Sequence, residues 1–85
     1  MKLIWHQDAW AEYVAWQDTD RRIVRRINAL IRDIVRGGDS SIGKPEILRG
    51  NLAGYRSRRI DGEHRLVYRE LSDELIIVAC RGHYS

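Results

Sequence analysis

Between Asp20 and Gly37 the chain carries a pattern that few folds can absorb. Ile23, Ile27, Leu30, Ile31 and Ile34 recur at helical spacing, on a helix predicted to run from an Asp20 cap to about residue 36. Arg22, Arg25, Arg26, Arg32 and Arg36 fall on the opposite side, within an arc of roughly 120°. One side of this helix needs an apolar layer to lie on; the other needs water or an anionic partner. Gly37-Gly38 ends the helix. The layer comes from downstream, where residues 55–60, 64–71 and 74–80 read as strands. Asp61-Gly62 signals a hairpin turn between the first two, and Ser72-Asp73 a turn before the third. Residues 2–5 form a short opening strand. Asp8 can cap a first helix through about residue 19, with Trp10, Tyr13, Val14 and Gln17 on one face. Residues 39–53, with the only proline, read as an irregular loop. The expected fold is α+β: two N-terminal helices packed on one face of a mostly antiparallel four-stranded sheet. The very apolar strand 74–80 belongs at its centre, and Trp5, Trp10 and Trp16 are expected core anchors.

At 85 residues the chain is expected to form one domain spanning 1–85. A chain of this size buries only about 60–65% of its unfolded surface, so one modest core is the limit. Hydrophobic residues make up 44% and charged residues 32%, which argues against disorder. No apolar run approaches the roughly 18–20 residues of a membrane span, and His6, Gln7 and Asp8 break the N-terminus too early for a signal peptide. A lone cysteine, Cys80, rules out an intrachain disulfide and suits the cytoplasm. A small core without staples points to oligomerisation, here a homodimer, or to a partner.

The distribution of charge says more than its total. Residues 1–20 sum to −3, 21–36 to +5, 37–60 to +3 and 61–85 to −2. Of the 15 cations 13 are arginine, whose planar fork fits phosphate better than a lysine does. An excess clustered mid-chain points to a polyanion, RNA above all. The run Gly38 to Lys44 imitates the start of a phosphate loop, but Pro45 stands where the magnesium-binding hydroxyl belongs. His6, His64 and His83 have no metal-binding spacing, and nothing else asks for a cofactor. Cys80, inside an apolar strand, reads as a buried small hydrophobe.

What remains is a set of residues on the last strands and the loop before them. Arg56, Arg58, Arg59, Arg65, Arg69 and Arg81 fall on the strands, and alternation groups Arg65 with Val67 and Arg69 on one face. Glu46 is the only acid from Ser40 to Ile60, and in that cationic field it is ionised and fit to accept a proton. His83, near the chain end beside Arg81 and Tyr84, is an unusual core residue. Glu, His and Arg are the groups that metal-free RNA cleavage requires. A base takes the 2′-hydroxyl proton, an acid protonates the departing 5′-oxygen, and a guanidinium stabilises the phosphorane. Taken singly, Glu46 also fits a plain ion-pair partner and His83 a frayed terminal residue. His64 fits a turn-stabilising role or a catalytic one.

The chain resembles the YoeB toxins within the RelE-like superfamily of toxin–antitoxin modules. The resemblance runs through Lys2-Leu3-Ile4-Trp5, Trp16-Gln17-Asp18-Thr19-Asp20, Gly43-Lys44-Pro45-Glu46, Ser57-Arg58-Arg59-Ile60, Glu63-His64-Arg65-Leu66-Val67-Tyr68, Ala79-Cys80-Arg81 and His83-Tyr84. It implies a microbial-ribonuclease-like fold and cleavage of mRNA in the ribosomal A site. It also implies Glu46 as general base, His83 as general acid and Arg65 as transition-state stabiliser, with Arg59, Tyr84, Arg49 and Lys44 holding phosphate and substrate. The stripe Arg22, Arg25, Arg26 and Arg32 would face rRNA. The partner it implies is a cognate YefM-like antitoxin, with operator DNA reached only through that antitoxin. The chain departs from the family pattern at Arg49, Gly50, Arg56 and Gly82. Two further readings stay open at this point: a non-catalytic RNA or ribosome binder, and a subunit acting mainly in an operator-binding complex.

Overall fold

A computed structural model describes residues 1–37 and 42–82. Its elements are β1 (Lys2–Trp5), α1 (Gln7–Thr19), α2 (Arg21–Arg36), β2 (Glu46–Ile47), β3 (Arg56–Arg59), β4 (Arg65–Glu70) and β5 (Glu74–Ala79), with a single 3-10 turn at Gly50–Leu52. The five strands form one sheet in the order β1-β5-β4-β3-β2, antiparallel throughout except that β1 runs parallel to β5. The sheet therefore has five strands where four were expected. The extra strand, β2, lies in the stretch read as a loop, because two residues after a proline offer no alternation to read. The most apolar strand, β5, is interior, but β4 holds the middle position.

The second helix forms as its sequence requires. Asp20 caps it by accepting the Arg22 backbone N–H at 3.0 Å, and Gly37 closes it in the left-handed region at φ 66°. Hydrogen bonding to Arg22 holds the Asp20 carboxyl below its usual range. Ile23, Ile27, Leu30, Ile31 and Ile34 are all buried. They pack against Leu66, Tyr68, Leu75 and Ile77 of β4 and β5, which form the main core.

The first helix departs from expectation. Its cap position is His6, with no side-chain bond, so Asp8 lies inside the first turn instead of capping. Its buried side is Ala9, with Tyr13 and Trp16 packed at the core's margin, while Trp10 is 49% exposed and Val14 also faces outward. Apolar residues occur all round this helix, so periodicity alone could not choose the face. Trp5 and Trp16 do pack against the core; Trp10 joins Trp5 and Tyr13 in an aromatic cluster with ring centroids 4.7–5.8 Å apart. The Tyr13 hydroxyl donates to Asn28 Oδ1 at 2.7 Å and ties the two helices together.

The β3–β4 connection is wider than a two-residue turn. The strands stop at Arg59 and resume at Arg65, and the Asp61 carboxylate accepts the backbone N–H groups of Glu63 and His64. Partial burial pushes the Asp61 carboxyl up, but those two bonds outweigh it and leave it below the usual range. The ionised form thus favours the fold, and its contribution fades as the pH falls through the folded-state value. Ser72-Asp73 does make the expected tight turn, closed by Leu71 N–H to Glu74 C=O at 2.8 Å.

Arg58 leaves β3 on the side opposite Arg59 and Arg65 and enters the core, where it pairs with buried Asp33 of α2 and donates to the Tyr68 hydroxyl at 3.1 Å. Cys80 is buried as expected, and burial, with the Glu12 carboxylate beside it, pushes its thiol up to about 12. Such a thiol is no nucleophile at neutral pH.

Candidate active site

The face of the sheet away from the helices carries a smaller cluster of Leu48, Val67 and Ala79, flanked by Leu52, Tyr55 and Val78. Beside it the strand register assembles a polar group. Glu46 lies opposite Ser57, and Arg59 opposite Arg65. Ser57 and Arg59 are two apart on β3, so all four side chains leave the sheet on one face. The Arg65 guanidinium donates through Nη2 to Glu46 Oε1 at 3.1 Å and through Nη1 to the Ser57 hydroxyl at 2.8 Å. The Arg65 side chain is 9% exposed and that of Glu46 51%. A buried cation is thus aimed at a carboxylate that meets solvent.

Local structure explains the placement. Gly43 sits at φ 80°, where a Cβ would meet Leu30 Cδ2 at 2.8 Å, so only glycine lets the segment pass so close to α2. Its carbonyl accepts the Arg59 N–H at 2.7 Å, which anchors the approach to Glu46. Pro45 directly precedes β2, and the β2–β3 ladder presents Glu46 across from Ser57.

The expected site residues divide accordingly. Glu46, Arg59 and Arg65 come together. Lys44 and Arg49 are exposed on either side of β2; among the described residues no hydrogen bond or ion pair joins them to Glu46 or Arg65. His83 and Tyr84 lie outside the described residues, as does the start of the loop at 38–41. Arg65, Val67 and Arg69 share a face as alternation requires, with Arg65 buried and Arg69 exposed over the Tyr55 ring at 5.9 Å. Ser57 is the residue that sequence reasoning missed. Its alternation with Arg59, and the pairing of Arg59 with Arg65, were the available signals.

The arginine stripe of α2 keeps its arc but spreads over different surroundings. Arg22 returns to the Asp20 cap at 3.4 Å, and Arg26 reaches the Arg59 carbonyl at 3.5 Å. Arg25 is exposed between the helices, and Arg32 borders a depression lined by Leu3, Trp5, Trp10 and Tyr13.

The family model of the YoeB-like toxins of bacterial type II toxin–antitoxin systems matches residues 5–84. The chain belongs to this family. Toxin YoeB of Escherichia coli (strain K12) is 55% identical over 84 residues, covering 99% of this chain and all of that one. The YoeB/ParE toxin structure from Agrobacterium tumefaciens superposes with a TM-score of 0.91 at 49% identity, over 99% of this chain and 100% of that one. YoeB of Staphylococcus aureus is known as a dimer and as a heterotetrameric YoeB–YefM complex. These two structures give TM-scores of 0.90 and 0.89 at 41% identity, over 99% of this chain and 98% of each. The expected fold family thus stands, with a five-stranded sheet. Like its relatives, this YoeB-like chain is a toxin of a toxin–antitoxin system.

Proposed function

We propose that this toxin is a ribosome-dependent endoribonuclease that cleaves mRNA in the A site. The observation that carries the reading is the Glu46–Arg65 pair, with Arg59 beside it on one exposed sheet face. Glu46 takes the proton of a 2′-hydroxyl; the 2′-oxygen attacks phosphorus, and the bond from phosphorus to the 5′-oxygen breaks. His83 supplies the proton that the 5′-oxygen accepts, and Arg65 stabilises the charge that develops on the phosphorane. The pair couples these steps. While Glu46 is ionised it neutralises Arg65; once protonated it no longer does, and the guanidinium charge becomes available to the phosphorane oxygens. Ser57 holds the other arm of Arg65 throughout. Arg59, Lys44, Arg49 and Tyr84 bind phosphate and orient the nucleotide.

The test is incubation of the protein with message, with and without translating ribosomes, in the presence of a chelator. Cleavage should persist and leave a 2′,3′-cyclic phosphate and a 5′-hydroxyl. Loss of cleavage on chelation removes the mechanism, and ribosome binding without cleavage would support a non-catalytic binder.

A YefM-like antitoxin neutralises the toxin, laying an acidic segment over the basic face and contacting operator DNA itself. The S. aureus YoeB–YefM assembly supports this. The S. aureus dimer likewise supports a homodimer, and exposed Leu3 and Trp10 offer apolar surface for a second copy.

The α2 stripe serves ribosome association. Neutralising Arg25 and Arg32, which carry no bond to the fold among the described residues, should weaken rRNA binding and flatten its salt dependence. Binding measured across a salt series checks this; an unchanged slope makes the stripe a solvated surface only.

A further inference from the structure

The sheet face that holds Glu46, Ser57, Arg59 and Arg65 does not end at these groups. Ser57 lies opposite Val67, and the Arg56–Tyr68 pair that follows puts Tyr55 and Arg69 at the next step of the ladder. Tyr55 is two residues from Ser57, about 7 Å at the usual extended rise. Arg69 is two residues beyond Val67 and shares its face. Here the Arg69 guanidinium lies over the Tyr55 ring, 5.9 Å from its centroid.

Both backbone groups of Tyr55 are clamped. Its N–H donates to the Leu52 carbonyl at 3.0 Å, just after the 3-10 turn, and its carbonyl accepts the Leu48 N–H at 3.0 Å. The side chain is half-buried and packs against the cluster of Leu48, Val67 and Ala79. A ring already fixed in this way loses little freedom when a ligand arrives. Arg69 is the exposed outer layer, and among the described residues no carboxylate pairs with it. The Tyr55 hydroxyl has no protein hydrogen-bond partner among the described residues. Aromatic rings and guanidinium planes are the surfaces on which proteins stack unpaired bases.

Order along the face selects the base. In the proposed reaction the scissile phosphate meets Arg59 and Arg65, and the attacking 2′-hydroxyl meets Glu46. Glu46 pairs with Ser57, one step nearer to Tyr55 than the Arg59–Arg65 pair. The sugar that carries the hydroxyl therefore lies on the Tyr55 side of the phosphate, and its base falls toward Tyr55 and Arg69.

We propose that Tyr55 and Arg69 form a base-stacking subsite for the nucleotide immediately 5′ of the break, which holds that base while its 2′-hydroxyl is delivered to Glu46. This rests on the ribonuclease reading of the Glu46–Arg65 pair. A stacked base is gripped by its face and not by its edge. The subsite therefore accepts every base and favours the larger purines only modestly.

The test compares two ribosome-bound messages, one intact and one with an abasic ribonucleotide immediately 5′ of the mapped cleavage position. Single-turnover cleavage by the wild type should slow about 5- to 150-fold when the base is missing, the range set by losing one base–aromatic stack. Arg69→Ala and Tyr55→Leu should each be slower on the intact message and lose most of that discrimination, since base and platform act as one pair. Tyr55→Phe keeps the ring and should keep the discrimination within about threefold. Arg69→Lys keeps the charge without the plane and should behave like Arg69→Ala; a lysine variant equal to wild type would make Arg69 a phosphate contact and overturn the stacking. If the wild type ignores the missing base, or every variant discriminates as it does, the pair is a solvated surface contact and the proposal fails.

A second arm needs no cleavage. 4-Thio-2′-deoxyuridine, which lacks the attacking hydroxyl, is placed in turn at each A-site position of ribosome-bound message and irradiated with the unmodified toxin. One position should cross-link to the segment around Tyr55 or to β4 at Arg69. Cross-links only elsewhere, or none, overturn the subsite. Should the wild type not cleave at all, the ribonuclease reading fails while the cross-link still decides the base contact.

Discussion

Replacing Glu46 by Gln, or His83 by Ala, should slow single-turnover cleavage of ribosome-bound message by about 10²–10⁴-fold, the usual worth of a general base or acid. Glu46→Gln preserves shape and solvent contact, since the wild-type side chain is half exposed and supplies no core area. Its loss should therefore appear in the chemical step, with ribosome affinity retained. Arg65→Gln should cost at least about 10²-fold, because it removes the charge that meets the phosphorane. That variant also carries a folding penalty, since Arg65 is buried and bonded to fully buried Ser57. It must be compared at equal folded fraction. The double variant of Glu46 and His83 should lose less than the product of the two single losses, because the groups act in one transfer. Near-wild-type rates for either single variant would sink the assignment and leave an RNA binder standing.

The largest effect on stability should come from a residue far from the chemistry. Asp33→Ala leaves the Arg58 guanidinium in the core without its carboxylate, and removing one partner of a buried pair costs about 3–5 kcal/mol. A domain of this size has only about 5–15 kcal/mol in total, so the variant should lose a large share of its stability. The remaining bonds of Arg58, to the Tyr68 hydroxyl and the Ile42 carbonyl, are to neutral groups and do not replace a counter-charge. Changing both residues to apolar ones, Asp33→Leu with Arg58→Met, should recover much of the loss, since the stranded charge goes too. Denaturant titration at fixed protein concentration measures both, the concentration being held because any dimer would contribute. An Asp33→Ala midpoint close to wild type would show that water reaches Arg58 from below the sheet.

The sequence by itself determined the parts whose signal is local and periodic. The α2 helix was legible because its five apolar residues share one side and Asp20 and Gly37 mark its ends; each depends on neighbours within a turn or two. The same holds for β4 and β5 and for the tight turn at Ser72-Asp73, and Glu46 by itself stood out as the lone acid in a cationic stretch. Tertiary structure alone decided matters of direction and pairing. It turned Trp10 outward, because a helix apolar on all sides takes its buried face from its neighbours. It recruited residues 46–47 as a fifth strand, because an edge strand that short exists only through its ladder to β3. It separated Arg58 from Arg65, sending one to the helices and the other to Glu46, because β-strand alternation is exact in period but the core chooses its phase. It also joined His64 to Gly82, 18 residues away, through a bond that no spacing in the sequence announces. Identity and order along the chain set which elements form; which face each shows the others is a property of the whole, because burial is shared among elements and settled only when they meet.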